Sequence, residues 1–206
     1  NLYELVDEFV TVSHNKDKDG LMEFVNLKLG ETWDEQLTRD DWQRLYERRE
    51  NYPANTLPPG ALILTCGVDV QHDRLEASVY AWGSGKESWG IEHRVFYGSP
   101  ESFDTWAQLD QLLQKKYKLF LGAEVTISCT CVDSGDGSYT NEVYKYTAQR
   151  QALRVFAIKG RGGIGIPFIS PPTKNNAVGA TLFTLGVDSG KSILFNRLKI
   201  RVGIVP

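Results

Sequence analysis

The stretch Leu62-Ile63-Leu64-Thr65-Cys66-Gly67-Val68-Asp69-Val70-Gln71 constrains this chain more than any other part of it. An apolar run of this length is a buried strand, and it closes on a lone carboxylate. A second apolar run, Val125 to Val132, closes in the same way on Asp133-Ser134-Gly135. Two buried strands that each deliver an aspartate at the carboxyl end form a carboxylate pair, provided the strands are neighbours. Such a pair suits divalent cations and phosphate chemistry.

The surrounding pattern supplies that condition. Three strand-like runs follow one another at Ala61–Val70, Leu75–Trp82 and Trp89–Tyr97, with short polar connectors at Gln71–Arg74 and Gly83–Glu87, so an antiparallel meander is expected. Phe103 to Tyr117 reads as an amphipathic helix with Trp106, Leu109, Leu112 and Leu113 on one face. The strand Val125–Val132, a helix Tyr139–Gln149 and a strand Leu153–Ile158 follow. The order β-β-β-α-β-α-β is that of a ribonuclease H-like α/β fold, a mixed sheet of three meander strands plus parallel strands with flanking helices. In it the strands ending in Asp69 and Asp133 lie side by side. Beyond Ile158, Lys159-Gly160-Arg161-Gly162-Gly163 reads as a flexible basic loop, Thr181–Val187 as a strand and Gly190–Leu198 as a short helix.

The first sixty residues read as a helical or extended arm with a linker, and residues 61–206 as the folded domain. Leu2 to Val12 has helical spacing. Asn15–Gly20 imitates the start of a calcium loop, but Asn26 stands where a bidentate Glu is needed, so a charged turn is expected. Leu21 to Leu29 is a short helix or extended stretch. Asp40 to Tyr52 reads as a helix capped by Asp40 and stopped by Pro53, before a linker containing Pro58, Pro59 and Gly60.

The net charge of -3 conceals a gradient, from -6 over residues 1–60 and -5 over 61–140 to +8 over 141–206. An acidic centre beside a basic flank suits an enzyme acting on a polyanion, with carboxylates holding cations and Lys/Arg holding phosphates. No apolar run approaches the ~20 residues of a membrane span. The three cysteines, Cys66, Cys129 and Cys131, are expected as small core residues in a reducing, cytoplasmic setting. A start at Asn1 and an end at Pro206 read as cuts in a longer protein.

Asp69 and Asp133 are the candidate catalytic and metal-binding residues. Asp136 either assists them or caps the helix near Tyr139. Lys159 ends a strand at the same sheet edge as a candidate phosphate contact. His72 is expected in a turn, and Trp82, Trp89, Tyr97 and Trp106 on core faces. Gly186-Val187-Asp188-Ser189-Gly190-Lys191-Ser192 imitates a phosphate loop, but Leu185 occupies the position of the required glycine, so no ATP site is expected.

Several stretches are similar to the large terminase subunit of lambda-like tailed phages. They include Leu29-Gly30-Glu31-Thr32-Trp33, Arg48-Arg49-Glu50-x-Tyr52, Gly67-Val68-Asp69-Val70-Gln71 followed by Asp73-Arg74-Leu75-Glu76, Val132-Asp133-Ser134-Gly135 and Ala157-Ile158-Lys159-Gly160. The resemblance implies a nuclease domain that cuts concatemeric viral DNA in the host cytoplasm with two Mg2+ or Mn2+ ions. It also implies an ATPase domain ahead of residue 1 and partners in the small terminase subunit and the portal. Asp69 and Asp133 match the family's metal ligands. The family has a further carboxylate on a late helix, and Asp188, the only acidic residue after Glu142, is the candidate for it. Lys159, Arg161, Lys191 and Arg197, in the basic region, are expected to hold double-stranded DNA. Two alternatives stay open: a resolvase- or transposase-like nuclease of the same fold, and a catalytically incomplete remnant that only binds DNA or partner subunits.

Overall fold

The structure, a computed structural model, describes residues 6–11, 24, 43, 45–53, 55–163, 165–174 and 178–198. These fall in two units, Asn1–Glu50 and Asn51–Pro206. In the first, residues 6–11 are helical, as are residues 43 and 45–47. The Phe9 and Phe24 rings lie 5.5 Å apart there, and the Arg49 guanidinium sits 3.7 Å over the Tyr46 ring. The charged turn Asn15–Gly20, the cap Asp40 and all of Leu21–Leu29 except Phe24 lie outside the described residues.

The second unit is built on one seven-stranded sheet, with a separate two-stranded hairpin. β1 (Ile63–Val70), β2 (Arg74–Trp82) and β3 (Ser88–Tyr97) form the antiparallel meander. β6 (Ile127–Asp133) runs parallel to β1, and β7 (Val155–Arg161) and β9 (Thr181–Gly186) continue the parallel half. The short β8 (Thr173–Lys174) closes that edge. This is the ribonuclease H-like α/β arrangement expected from the order of elements. Among the described residues no helix is long and apolar enough to cross a membrane.

Strand alternation decides which face is core. Leu64, Cys66, Val68 and Val70 of β1 and Leu75, Ala77, Val79 and Ala81 of β2 are buried on one side. Helices α1 (Phe103–Leu113) and α2 (Thr140–Ala148) cover that side, contributing Trp106, Leu109, Leu112, Val143 and Tyr146 to a single cluster. Each such side chain contributes roughly 1.5–3 kcal/mol by leaving water. The two helices are tied to one another. The Trp106 and Tyr146 rings stack at 4.4 Å, and the Arg150 guanidinium lies 3.9 Å over Tyr146. Arg150 also donates two hydrogen bonds to Asp110, of 2.8 and 2.6 Å, and Tyr146 donates a third to it.

Six expectations need correction. The stretch expected as a helix over Asp40–Tyr52 is not helical beyond Glu47, and Trp82 is on the sheet face away from the core, donating its Nε1–H to Thr65 Oγ1 at 2.7 Å. α1 stops at Leu113, not Tyr117, because Tyr117 turns into the core and donates its hydroxyl to Glu92 at 2.8 Å. The chain reverses there as the hairpin β4 (Tyr117–Lys118) and β5 (Glu124–Val125). Lys159-Gly160-Arg161 is not a loop, since pairing with Thr184, Leu185 and Gly186 of β9 extends β7 through it. Tyr97, at the end of the edge strand β3, is 74% exposed. Cys66 is a core residue, whereas Cys129 and Cys131 are half-buried on the face that α1 and α2 leave uncovered.

Among the described ion pairs, Glu92 of β3 is the most enclosed member, its side chain only 5% exposed. Burial pushes its carboxyl pKa up, but hydrogen bonds from Lys115, Tyr117 and Arg94 outweigh that and hold it below the usual range. A carboxyl depressed in the folded state contributes stability above its unfolded pKa, and the contribution disappears as pH falls through the folded value. Glu92→Gln is therefore expected to flatten the acid limb of a denaturation series run from neutral pH downward. An unchanged acid limb would assign the acid sensitivity to other carboxylates.

Candidate active site

β1 and β6 pair in parallel up to Val68 opposite Val132, and the next residue on each strand is an aspartate. Strand neighbours lie ~4.8 Å apart, so Asp69 and Asp133 stand side by side at the carboxyl ends. Both belong to the face opposite α1 and α2. Gln71 Nε2 donates to Asp69 Oδ2, and the Gly135 N–H donates to Asp133 Oδ1 at 2.9 Å. The turn after Asp133 is held by the buried Ser134, whose backbone N–H and hydroxyl both donate to the Ile158 carbonyl at 2.8 Å. Asp69 Oδ1 and Asp133 Oδ2 accept no hydrogen bond among the described residues.

The pair opens into a cleft of about 550 Å3 whose lining includes Asp69, Glu76, Ser78, His93, Asp133 and Lys191. Its floor is Gly67, where a side chain would meet nothing within 4 Å. One wall is the start of α3 (Val187–Leu198), which contributes Val187, Gly190 and Lys191. A glycine at mid-strand lets another backbone come close. Glu76 lies directly across from Asp69 in the β1–β2 register. Its carboxylate accepts from Arg74 Nε at 2.6 Å, and Arg74 also donates to Asp73 at 2.8 Å.

Of the basic candidates, Lys191 lines the cleft. Lys159 and Arg161 alternate with Ile158 and Gly160, which do line it, so both are turned to the other face of the sheet. Arg197 is exposed in the last turn of α3. Asp136 Oδ1 accepts from the Ser138 N–H at 2.9 Å, so it closes the turn before α2 and not the helix itself, whose first position follows Tyr139. Asp188 Oδ2 accepts from the Gly163 N–H at 2.7 Å and is not among the residues lining the cleft. His72 is in the β1–β2 turn, as expected.

Among the described residues no group of three or more His, Cys, Asp or Glu side chains is arranged to hold a metal ion. The Asp69/Asp133 pair still fits Mg2+, which takes one or two carboxylates and fills its remaining positions with water and substrate phosphate oxygens. Cys131 also lines the cleft, and its interaction with Cys129 on the same strand face pushes the Cys129 pKa down and its own up.

Glu76, Ser78 and His93 escaped the reading of the sequence. For Glu76 a signal existed, because a tight β1–β2 connection places it opposite Asp69. For His93 none did, since a register shift between Val79 and Tyr80 breaks the count across β2 and β3.

The chain matches, over residues 1–203, the family described as terminase large subunit gpA, endonuclease domain. It is 37% identical over 178 residues to the terminase large subunit of Escherichia phage lambda, covering 86% of this chain and 28% of that protein. It is 36% identical over 187 residues to the terminase large subunit of Enterobacteria phage P21, covering 89% of this chain and 28% of that protein. The chain thus spans less than a third of the length of these relatives. No solved structure matches. With the family profile covering nearly every residue, and the two aspartates adjacent at the open end of its sheet, the chain belongs to the endonuclease domain of gpA-type terminase large subunits.

Proposed function

We propose that this domain is a metal-dependent DNA endonuclease that cuts concatemeric viral DNA during genome packaging. The observation that supports the reading most directly is the β1–β6 register, which sets Asp69 beside Asp133 in the cleft that also contains Lys191. Asp69 and Asp133 would hold Mg2+ or Mn2+ through their open oxygens. In a two-metal site such ions supply an activated water and stabilise the leaving 3′-oxygen. Lys191 contributes positive charge to a phosphate on the α3 side, and the Gly67 floor leaves room for the sugar-phosphate backbone. Gln71 and the Gly135 N–H fix the orientation of the two carboxylates.

In this reading the parent protein supplies the ATPase, works in the host cytoplasm, and meets the small terminase subunit and the portal through surfaces outside this domain. Double-stranded DNA is the ligand of the domain itself. One observation favours the incomplete-nuclease alternative: the described residues offer two cation-ready carboxylates and no group of three. Nicking of supercoiled plasmid by the 206-residue chain in Mn2+, Mg2+ or EDTA separates the two. Metal-dependent conversion to open circles, absent in EDTA, is expected. DNA binding without any cutting would leave the domain as a binding remnant.

A further inference from the structure

The Ser78–His93 pair lies outside everything the nuclease reading uses. The two residues face each other across β2 and β3, with Ser78 Oγ 2.9 Å from His93 Nδ1. Both line two cavities at once. One is the carboxylate cleft, and the other is a groove of about 440 Å3 that continues past Tyr80 and Gly90 to Arg94. The two cavities are therefore joined at this pair. Tyr80 is 45% exposed, and its ring edge lies 3.8 Å from where a Gly90 side chain would begin. An exposed aromatic ring beside bare backbone is a platform on which a nucleobase can stack.

We propose that Ser78 and His93 form a phosphate subsite that holds the DNA strand to one side of the scissile bond, with Tyr80 as a base platform beyond it. The proposal rests on the nuclease reading above for the position of the scissile phosphate. When the Ser78 hydroxyl donates to Nδ1, the ring proton sits on Nε2. That N–H is a donor for a phosphate oxygen in the neutral ring, and it remains one in the imidazolium. His93 is two strands from β1, roughly 10 Å, and level with Gly67, which precedes Asp69 by about 7 Å of strand. The diagonal is about 12 Å, so the subsite is only a few nucleotides along the strand from the carboxylate pair. On β2 the diagonal passes between Ser78 and Glu76, and the Glu76 carboxylate is engaged by Arg74 Nε at 2.6 Å.

The test is binding of fluorescein-labelled DNA to the 206-residue chain in EDTA, by anisotropy, for wild type, His93→Ala, Tyr80→Ser and, on the distant hairpin, Lys118→Ala. His93→Ala is expected to weaken binding about tenfold, and Tyr80→Ser by a similar factor. Lys118→Ala should leave it unchanged. Trimming the DNA short of the subsite should abolish the difference between wild type and His93→Ala, and His93→Asn, which keeps a donor, should recover part of the loss. In metal-dependent cutting His93→Ala should raise KM with kcat nearly unchanged. Equal affinity of His93→Ala and wild type, or a deficit that persists on trimmed DNA, overturns the subsite. Length-dependent binding through His93 with no cutting by wild type would remove the nuclease reading and leave the subsite. Cutting with no effect of His93→Ala would do the reverse.

Discussion

Asp69→Asn and Asp133→Asn are each expected to lower metal-dependent plasmid nicking by about a thousandfold, while DNA binding persists. The magnitude follows from the several kcal/mol of transition-state charge stabilisation a bound cation provides, at ~1.4 kcal/mol per decade of rate. Asparagine keeps the size and one acceptor oxygen, so the Gln71 and Gly135 contacts survive, and what is lost is the charge that holds the ion. Both positions are at least partly exposed, which limits any stability change to about 0.5 kcal/mol. Two groups acting on one ion are not additive, so the double variant should be hardly worse than either single one. Rates within a few-fold of wild type in either variant would remove that aspartate from the site.

Trp106→Ala should cost about 3–5 kcal/mol of stability. The indole is buried between α1 and the sheet, stacks on Tyr146, and donates its N–H to the Pro100 carbonyl at 2.7 Å. Its removal leaves a cavity and an unmet buried acceptor, and frees the Tyr146 ring that Arg150 covers from the other side. In a domain of this size each kcal/mol moves the midpoint by about 2–4 °C, so thermal denaturation should show a fall of about 10 °C. Leu153→Ala, at a side chain 67% exposed, is the control and should shift little. A fall no larger than the control would mean that α1 and α2 are not joined through this ring.

The parts of the fold set by local pattern were legible in the residues. β1 and β6 alternate or run apolar up to their aspartates, and the short polar connectors around residues 71–73 allow only a meander. What was hidden depends on partners distant in sequence. Lys159-Gly160-Arg161 has the composition of a loop and becomes strand because β9 pairs with it. The end of α1 is set by a bond from Tyr117 to Glu92, 25 residues away. At the candidate site, Asp69 and Asp133 could be read because each stands at the carboxyl end of an apolar strand. Lys159 lies toward the same end of the sheet, but its position in the two-residue alternation turns it away from the cleft. Asp136 and Asp188 are carboxylates whose hydrogen bonds to Ser138 and Gly163 only coordinates reveal.

β1 has an antiparallel neighbour on one side and a parallel one on the other. At its carboxyl end the chain therefore departs in two directions, back through residues 71–73 into β2 and, from β6, through residues 134–139 into α2 on the covered face. A crevice opens wherever neighbouring connections part like this, and here Phe168 and the start of α3 bound its far side. Its walls are consequently adjustable apart from its chemistry. Lengthening either connection would raise a barrier over one flank and change which bends or ends of a duplex are admitted, while the two aspartates stay anchored in the ladder.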